Sequence, residues 1–561
     1  MNPGNPYVEH GGRALARVLS LLDRDPTSPT FGCLDRAFWH YKTLVEFPSL
    51  SYQEAALGLA TAARTPFAGN PCHGKETAVH WARGAVRFWA RRLGRDGSAD
   101  EWYAHEHSFV ATAFTAYAAA AATLLLGDLV PAPEKGEVGK ALERAGAWLI
   151  RHENPLVGNQ TCGAAAALAA IARVTGLARY ETAAKSKLVR AIAVFDDEGW
   201  FREYGGADLG YLSVAITYLA RYELLVPGSG LAEPLARAVR FAGHLLHPDG
   251  TAGDPTGSRN TQYLLPHGLE ILASRGSREA AAILDRHLDA VAGGRALSPD
   301  GVDDRYLSFF FASNWLAALA DWRPREREEF DFPPAHFVRA GLLSAAGTNY
   351  RAVLSLARQG ALAVYSTSDD PRRVFAHFGY RARSADGRWA ASQGPAEPGG
   401  EVRDEGGERV ARVQTRFLAV DSSRPLERLI LPFKLYTATL ARDDRVAGRV
   451  GRWLKERKIL GRAPWPLLLS RTVRFAPEAV RVEDELRVER GAGPVELLAE
   501  GQASSLHVPS SRFFRPDELD GLPPLPAGAA QELARSRRLR LEYVVRFGEN
   551  GPRVEARILS P

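Results

Sequence analysis

The sequence predicts an α+β chain of more than one domain, with a helical part at residues 1–330 and an antiparallel β part at residues 331–561. Three observations predict it. Apolar residues recur at helical spacing from about residue 12 to 323, and the period falls to two after the charged stretch RPREREEFDFPPAHF (323–337). At 561 residues and 45% hydrophobic, the chain can also bury more than one core.

The helical patterns cover 12–23, 35–46, 52–64, 76–93, 106–126, 135–152, 160–175, 178–194, 208–225, 231–246, 262–274, 277–292 and 306–322, punctuated by Gly, Pro and Asp. FVATAFTAYAAAAATLLL (109–126) and CGAAAALAAIA (162–172) are small and apolar on nearly every face, and a helix without a polar face must be surrounded by others. The patterns at 135–152, 178–194 and 277–292 instead carry Lys, Arg and Glu at regular intervals, as solvent-facing helices do. Alternation of the two kinds predicts an α/α toroid, in which hairpins set a buried inner ring inside an exposed outer one.

Beyond the linker, RAVLSLARQGALAVYST, RVARVQTRFLAVDS, LLLSRTVRFAP, AVRVEDELRVER and LRLEYVVRFGENGPRVEARIL alternate apolar and polar residues between Gly, Pro, Asn or Asp. They predict an antiparallel β-sandwich with one solvated face. SQGPAEPGGEVRDEGG (392–407) and DGLPPLPAGAA (520–530) read as loops.

The 71 basic residues exceed the 65 acidic ones only slightly, and they are dispersed. This favours an anionic ligand weakly and argues against nucleic acid, which selects basic runs with interleaved aromatics. Cys33, Cys72 and Cys162 lie too far apart for a CxxC pair, and a sparse odd count fits a reducing compartment. MNPGNPYVEHGG lacks the basic and apolar regions of a secretory signal, and AFTAYAAAAATLLLG (113–127) is short for a bilayer span. The expectation is a soluble cytoplasmic protein with no membrane insertion. The sequence does not speak to oligomeric state.

A toroid has a natural cavity at the end of its inner ring, lined by the loops that enter the inner helices. Polar clusters fall at such places. NPLVGNQTCGAA (154–165) offers Asn159 and Gln160, and EWYAHEHSF (101–109) offers Trp102 and His107. HPDGTAGDPTGSRNTQYLLPHG (247–268) crowds Arg259, Asn260, Tyr263 and His267 around another helix start. DDEGWFREYGGADLGYLSVAITYLARY (196–222) sets Glu203 and Tyr204 in an aromatic turn, then Tyr211, Tyr218 and Tyr222 along one helix face. These groups suit a sugar acid: amides and Arg neutralise a carboxylate, Tyr or His moves a proton, and aromatic faces stack on pyranose rings. Simpler readings stand beside this one. Asn159 and Asp208 suit helix caps, and His105 and His107, two apart, cannot share a helix face to hold zinc. Asp196–Asp197 and Asp303–Asp304 are the acidic pairs a glycoside hydrolase would draw on.

NQTCGAA, DEGWFREYGGADLGYLSV, GSRNTQYLLPHG and the β-rich second half together resemble the heparinase II/III-like proteins, which include polysaccharide lyases acting on uronate-containing glycans. Dermatan sulfate epimerase is similar in architecture. The resemblance covers most of the chain. It implies a metal-independent β-elimination with no cofactor, in which Asn159 neutralises the uronate carboxylate and Tyr211, with Tyr204 as the alternative, transfers the proton. Gln160, Glu203, Arg259, Asn260, Tyr263, Trp102 and His107 are the expected substrate-binding residues. The family takes its catalytic His from a His-, Asp- and Gly-rich motif in the β part. The sequence departs here, reading ALAVYSTSDDPRRVFAHFGYRAR (361–383), so that His377 or His267 is left for that role. The expected function is thus a lyase abstracting the C5 proton of a uronic acid in an anionic polysaccharide or oligosaccharide. A uronyl C5-epimerase is the alternative, then an α/α-toroid glycoside hydrolase or a non-catalytic polysaccharide-binding relative.

Overall fold

The computed structural model describes residues 4–41, 45–253, 256–368, 370–394, 399–420, 427–455, 463–491, 493–501, 513–514, 518–519, 523, 525–548 and 551–559. Helices come first: α1 (Val8–Leu21), α2 (Arg36–His40), α3 (Ala55–Arg64), α4 (Glu76–Arg92), α5 (Phe109–Leu126), α6 (Ala132–Arg151) and α7 (Gly158–Thr175). They continue with α8 (Ala178–Ala193), α9 (Leu209–Leu225), α10 (Ala232–Leu245), α11 (Pro266–Ala273), α12 (Arg278–Ala292), the single turn α13 (Asp304–Tyr306) and α14 (Ala312–Asp321).

The periodic stretches become helices because capping residues and breakers bracket them. Ser108, Asp208 and Ser277 each accept a backbone N–H of the first turn of α5, α9 and α12. Helices α3, α5, α7, α9, α11 and α14 are buried along almost their whole length. Each packs on the next, and α14 returns to α3. The amphipathic α4, α6, α8, α10 and α12 cover this circuit on one face each. Small residues let the inner helices approach closely: a Cβ on Gly163 would lie 2.2 Å from the Phe114 ring. The apolar segment of α5 runs longer than the sequence suggested. With the following turn it spans Phe109–Leu129, 21 residues and long enough to cross a membrane, but 72% of its most apolar window is buried inside the protein. Packing among the other inner helices therefore accounts for its composition.

Residues 322–334 carry no regular element, and strands begin at Ala335. β1 (Ala335–Phe337), β2 (Leu342–Ala346), β3 (Tyr350–Ser355), β4 (Ala361–Ser366) and β5 (Arg372–His377) form an antiparallel meander. A second antiparallel sheet contains β6 (Gly379–Arg383), β7 (Trp389–Ala391), β8 (Glu401–Glu405), β9 (Glu408–Ala419), β10 (Pro464–Ala476), β11 (Ala479–Val488), β12 (Glu496–Glu500), β13 (Arg538–Gly548) and β14 (Gly551–Ile558). Its order is β12-β6-β7-β9-β10-β11-β13-β14, with β8 paired to β9. Alternation sends Leu467, Leu469, Val473 and Phe475 of β10 into an apolar cluster shared with Leu343, Leu354 and Leu362 of the first sheet.

Two parts of the β half differ from the sequence expectation. The stretch 392–407, read as a loop, contains β8, because Gly406 and Gly407 at φ 60° and 86° close a tight hairpin to β9; its residues 395–398 lie outside the described residues. Helices also occur in this half, where none was expected: α15 (Glu427–Ala438), α16 (Asp444–Lys455) and α17 (Ala529–Ser536). In α16 the apolar residues Val446, Ala447, Val450 and Leu454 recur at three and four, a helical and not an alternating period. The other expected loop, 520–530, runs into α17 at Ala529, and its residues 520–522 and 524 lie outside the described residues.

The halves pack directly. Phe332, Phe337, Ala340, Leu342 and Val353 join the apolar cluster of the helical half. The Glu198 carboxylate accepts the backbone N–H groups of Arg339 and Ala340, both at 2.9 Å.

Candidate active site

The loops leading into α5, α7, α9, α11 and α14 meet at one end of the inner circuit. The turn 203–206 before α9 is stitched to the loop before α7. Gly158 N–H donates to Arg202 O, Tyr204 N–H donates to Leu156 O, and Val157 bridges Glu203. Glu203 is thereby carried to the start of α7, where its carboxylate accepts the Asn159 backbone N–H at 2.9 Å and the Asn159 Nδ2–H at 2.8 Å. One Nδ2–H and Oδ1 of Asn159 remain for another partner. Burial pushes the Glu203 carboxyl well above the usual carboxylate range, the neighbouring Asp208 charge adds to this, and the two Asn159 bonds and Arg259 oppose it.

Asp208 clamps the next pair of loops. It caps α9 by accepting Tyr211 N–H at 3.3 Å, accepts Arg259 N–H at 2.9 Å, and bonds the Thr261 hydroxyl. One buried carboxylate therefore fixes both Tyr211 and the 259–261 loop. Close approach here needs Gly210, whose N–H donates to Thr261 Oγ1 at 3.0 Å and whose Cβ, if present, would lie 2.3 Å from that oxygen. The result is a compact group: the Arg259 guanidinium sits 4.1 Å over the Tyr204 ring, and the Tyr204 and Tyr211 rings are 6.4 Å apart. Both phenols are half-buried. Burial pushes each phenol above its usual range, and Arg259 pulls each back in part.

This corner is strained and under-satisfied. His105, His107, Tyr204 and Asn260, at φ 60°, 53°, 51° and 54°, are non-glycine residues in the left-handed region, and all four lie in these loops. Such strain costs about 1–3 kcal/mol per residue and gathers where function requires a set geometry. Asn260, though buried, has both side-chain amide atoms without a hydrogen-bond partner, as has Arg259 Nε.

The remaining expected residues divide. Tyr263 is fully buried behind Tyr211, ring centroids 6.5 Å apart, with its hydroxyl unpartnered. Trp102 is 56% exposed beside this group. Gln160 accepts from Asn154 Nδ2 at 2.7 Å. Both ring nitrogens of His107 have protein partners: Nδ1 meets Asp96 and Ser98, and Nε2 faces Ala441 O at 3.0 Å, which makes it a tie between the halves. His267 faces the helical core, bonded to Arg221 at 3.0 Å and Asp321 at 2.8 Å. Arg221 is ten residues along α9 from Tyr211, about 15 Å at helical rise, beyond direct proton transfer. His377 is fully buried between the sheets against Arg471, Tyr380 and Tyr543, and burial with the Arg471 charge pushes its imidazolium well down. Among the described residues, no histidine bonds to or stacks on Asn159, Tyr204, Tyr211 or Arg259.

Residues the sequence reading passed over complete the corner. Arg305, at the turn before α14, stacks 3.9 Å over Trp102 and pairs with Glu101. Tyr306 adjoins Tyr263 and Phe513, and Phe513 N–H donates to Gln262 Oε1 at 2.9 Å, which brings a β-half segment onto the site. Arg358, buried after β3, is near enough for Asp208 and Arg259 to act on its charge. The rule that found the other clusters, polar residues just before an inner helix, also marks Arg305. The acidic pairs take other roles. Asp303 caps α13, Asp304 pairs with Arg17, and Asp196 and Asp197 pair with Arg339. A cavity of about 410 Å³ lies elsewhere, between the halves beside His244, Arg286 and Arg351. Arg286, Arg351, Tyr350 and Tyr365 line it, but among the described residues no side-chain amide joins them there.

The fold is similar to that of a polysaccharide lyase. The chain resembles the chondroitin AC lyase of Streptomyces coelicolor A3, solved in complex with chondroitin sulphate, with a TM-score of 0.52 and 13% identity over 87% of this chain and 67% of that one. A point mutant of that enzyme gives a TM-score of 0.49 at 13% identity over the same shares of the two chains, and heparinase III gives 0.44 at 12% identity over 79% and 63%. No protein-family model and no curated protein matches the sequence.

Proposed function

We propose that the chain is a polysaccharide lyase that cleaves a uronate-containing anionic polysaccharide by β-elimination. The observation that carries this reading is the convergence of Asn159, Tyr204, Tyr211 and Arg259 at one end of the inner helices. In this reading the six inner and surrounding outer helices form an α/α toroid, the facing sheets form a β-sandwich, and the border falls at residue 330/331.

The free Nδ2–H of Asn159 and the Arg259 guanidinium bind the substrate carboxylate. They act most strongly as C5 loses its proton and charge builds on that carboxylate. Tyr211, on the first turn of a rigid helix, takes the C5 proton as phenolate. The C5–H electron pair forms the C4–C5 double bond, the C4–O glycosidic bond breaks, and the phenol returns the proton to the departing oxygen. Tyr204 lies alongside under Arg259, and exposed Trp102 offers a stacking face to a neighbouring sugar.

The test is ultraviolet absorbance of the unsaturated uronate product on chondroitin sulphate, heparan-type and unsulfated uronate polymers. Absorbance growth lost in Tyr211→Phe supports the reading, and none on any uronate polymer refutes it. The pairing of two phenols 6.4 Å apart also suits a C5-epimerase, one removing and one returning the proton. Solvent deuterium entering C5 without new absorbance would single out that reaction.

A further inference from the structure

The hairpin of α15, the turn Leu440–Arg442 and α16 leaves an apolar surface uncovered. Leu429, Ile430, Leu431, Leu435 and Leu440 are all more than half exposed, Leu431 at 78%, and Trp453 of α16 is exposed too. Large exposed apolar patches on soluble proteins mark docking surfaces. Arg445, Arg449 and Arg452 follow at i, i+4 and i+7 on one face of α16, with Arg442 just before them. All four are exposed, and among the described residues none pairs with a carboxylate. The two acids beside these arginines are occupied: Asp443 accepts the N–H groups of Arg445 and Val446, and Asp444 bonds His152 at 3.1 Å.

We propose that this hairpin docks the protein on an anionic phospholipid surface, with the leucines among the acyl chains and the arginines at the headgroups. An interfacial helical segment needs apolar side chains beside uncompensated cations, as found here. A polyanionic glycan would engage the arginines and leave the leucines in water. A second copy docked face to face would cover the leucines but bring rows of arginine together. Only the lipid surface satisfies both sets of side chains. The hairpin is also fixed to the candidate site, through Ala441 O on His107 and the Phe433 ring 5.1 Å from Tyr103. Docking therefore holds the loop that carries Trp102 near the membrane, and points to substrates carried at that surface.

The test is co-sedimentation of the full chain with vesicles of phosphatidylglycerol and phosphatidylcholine in equal parts, and with phosphatidylcholine alone. The expected result is binding to the mixed vesicles that weakens with salt. It should fall at least about tenfold in Leu429→Ser/Leu431→Ser/Leu435→Ser and about a hundredfold in Arg445→Gln/Arg449→Gln/Arg452→Gln. Both variants should keep the parent's unfolding temperature and its turnover of soluble polysaccharide. Quenching of tryptophan fluorescence by brominated lipid, reduced in Trp453→Phe, reads the same contact with the leucines intact. No sedimentation with mixed vesicles overturns the proposal, as does binding that both triple variants leave intact. It is equally overturned if vesicles are ignored while the leucine variant dissociates a dimer, or while the arginine variant abolishes retention on a sulfated polysaccharide. The assay needs no turnover, so it stands or falls apart from the lyase reading.

Discussion

Replacing Asn159 by Ala separates the structural from the catalytic work of one side chain. Its backbone N–H bond to Glu203 survives the change, while the Nδ2 bond at 2.8 Å is lost. One buried carboxyl oxygen is left without that donor, which costs about 1–3 kcal/mol of stability. The Glu203 carboxyl, already raised by burial, should rise further, so the variant buries a neutral acid and not a bare charge. Catalysis should suffer separately. Removing one donor to a developing oxyanion lowers kcat about 10²–10³-fold, and in the proposed mechanism the donor lost is the one that binds the uronate carboxylate. Thermal unfolding gives the first quantity and absorbance of the unsaturated product the second, both compared with Asn159→Asp, which keeps the shape but replaces the two-proton amide donor with a carboxyl. A kcat for Asn159→Ala within threefold of the parent enzyme would remove Asn159 from the mechanism, whatever the unfolding temperature shows.

Tyr211→Phe should abolish product formation with little loss of stability, since among the described residues no group bonds its hydroxyl, whereas Tyr204→Phe should retain some activity. Because burial holds the Tyr211 phenol above its ordinary value of 10, a phenolate base predicts log kcat/KM rising with a slope of about one between about pH 7 and pH 10, and a flat profile would refute it. Gly210→Ala sets a methyl 2.3 Å from Thr261 Oγ1; it should cost about 1–3 kcal/mol and raise KM by displacing the Arg259 loop, measured by unfolding and saturation kinetics. Glu54, buried at the α3–α14 junction, has its carboxyl pushed by burial from 4.5 up to about 8. The folded state therefore binds the proton more tightly than the unfolded one, and stability is full below about pH 4.5 and falls as pH rises to about 8. Glu54→Gln should leave stability unchanged at the acid end and raise it by up to about 5 kcal/mol at the alkaline end; a pH-independent effect in urea unfolding would contradict this.

The helices were legible because inner and outer ones differ in composition. α5 and α7 have no polar face to present, and α6, α8 and α12 do. Asn159, Tyr204, Tyr211 and Arg259, which lie together in the structure, were singled out by their place at the start of an inner helix, a position the chain order reveals. The histidines were not legible. Whether His267 faces a cleft or Asp321, and whether His377 meets substrate or Arg471, depends on partners far away in sequence. Arg305 was obscured by the acidic pair beside it, whose members turn out to cap α13 and bind Arg17. The α15–α16 hairpin was lost inside a region read by a single period.

Closure of the inner circuit has a consequence for how the chain is made. Most inner helices pack on the one that precedes them in sequence, but α14 must find α3, where Ser313 Oγ accepts Gly58 N–H and donates to Glu54 O across more than 250 residues. On a ribosome the earlier helices can stack as they emerge, while α3, buried on every side in the finished protein, keeps one flank bare until residue 321 is out. The seam between the first and last inner helices is thus the last part of the helical half to form, and the place where a truncated or stalled chain would be sticky.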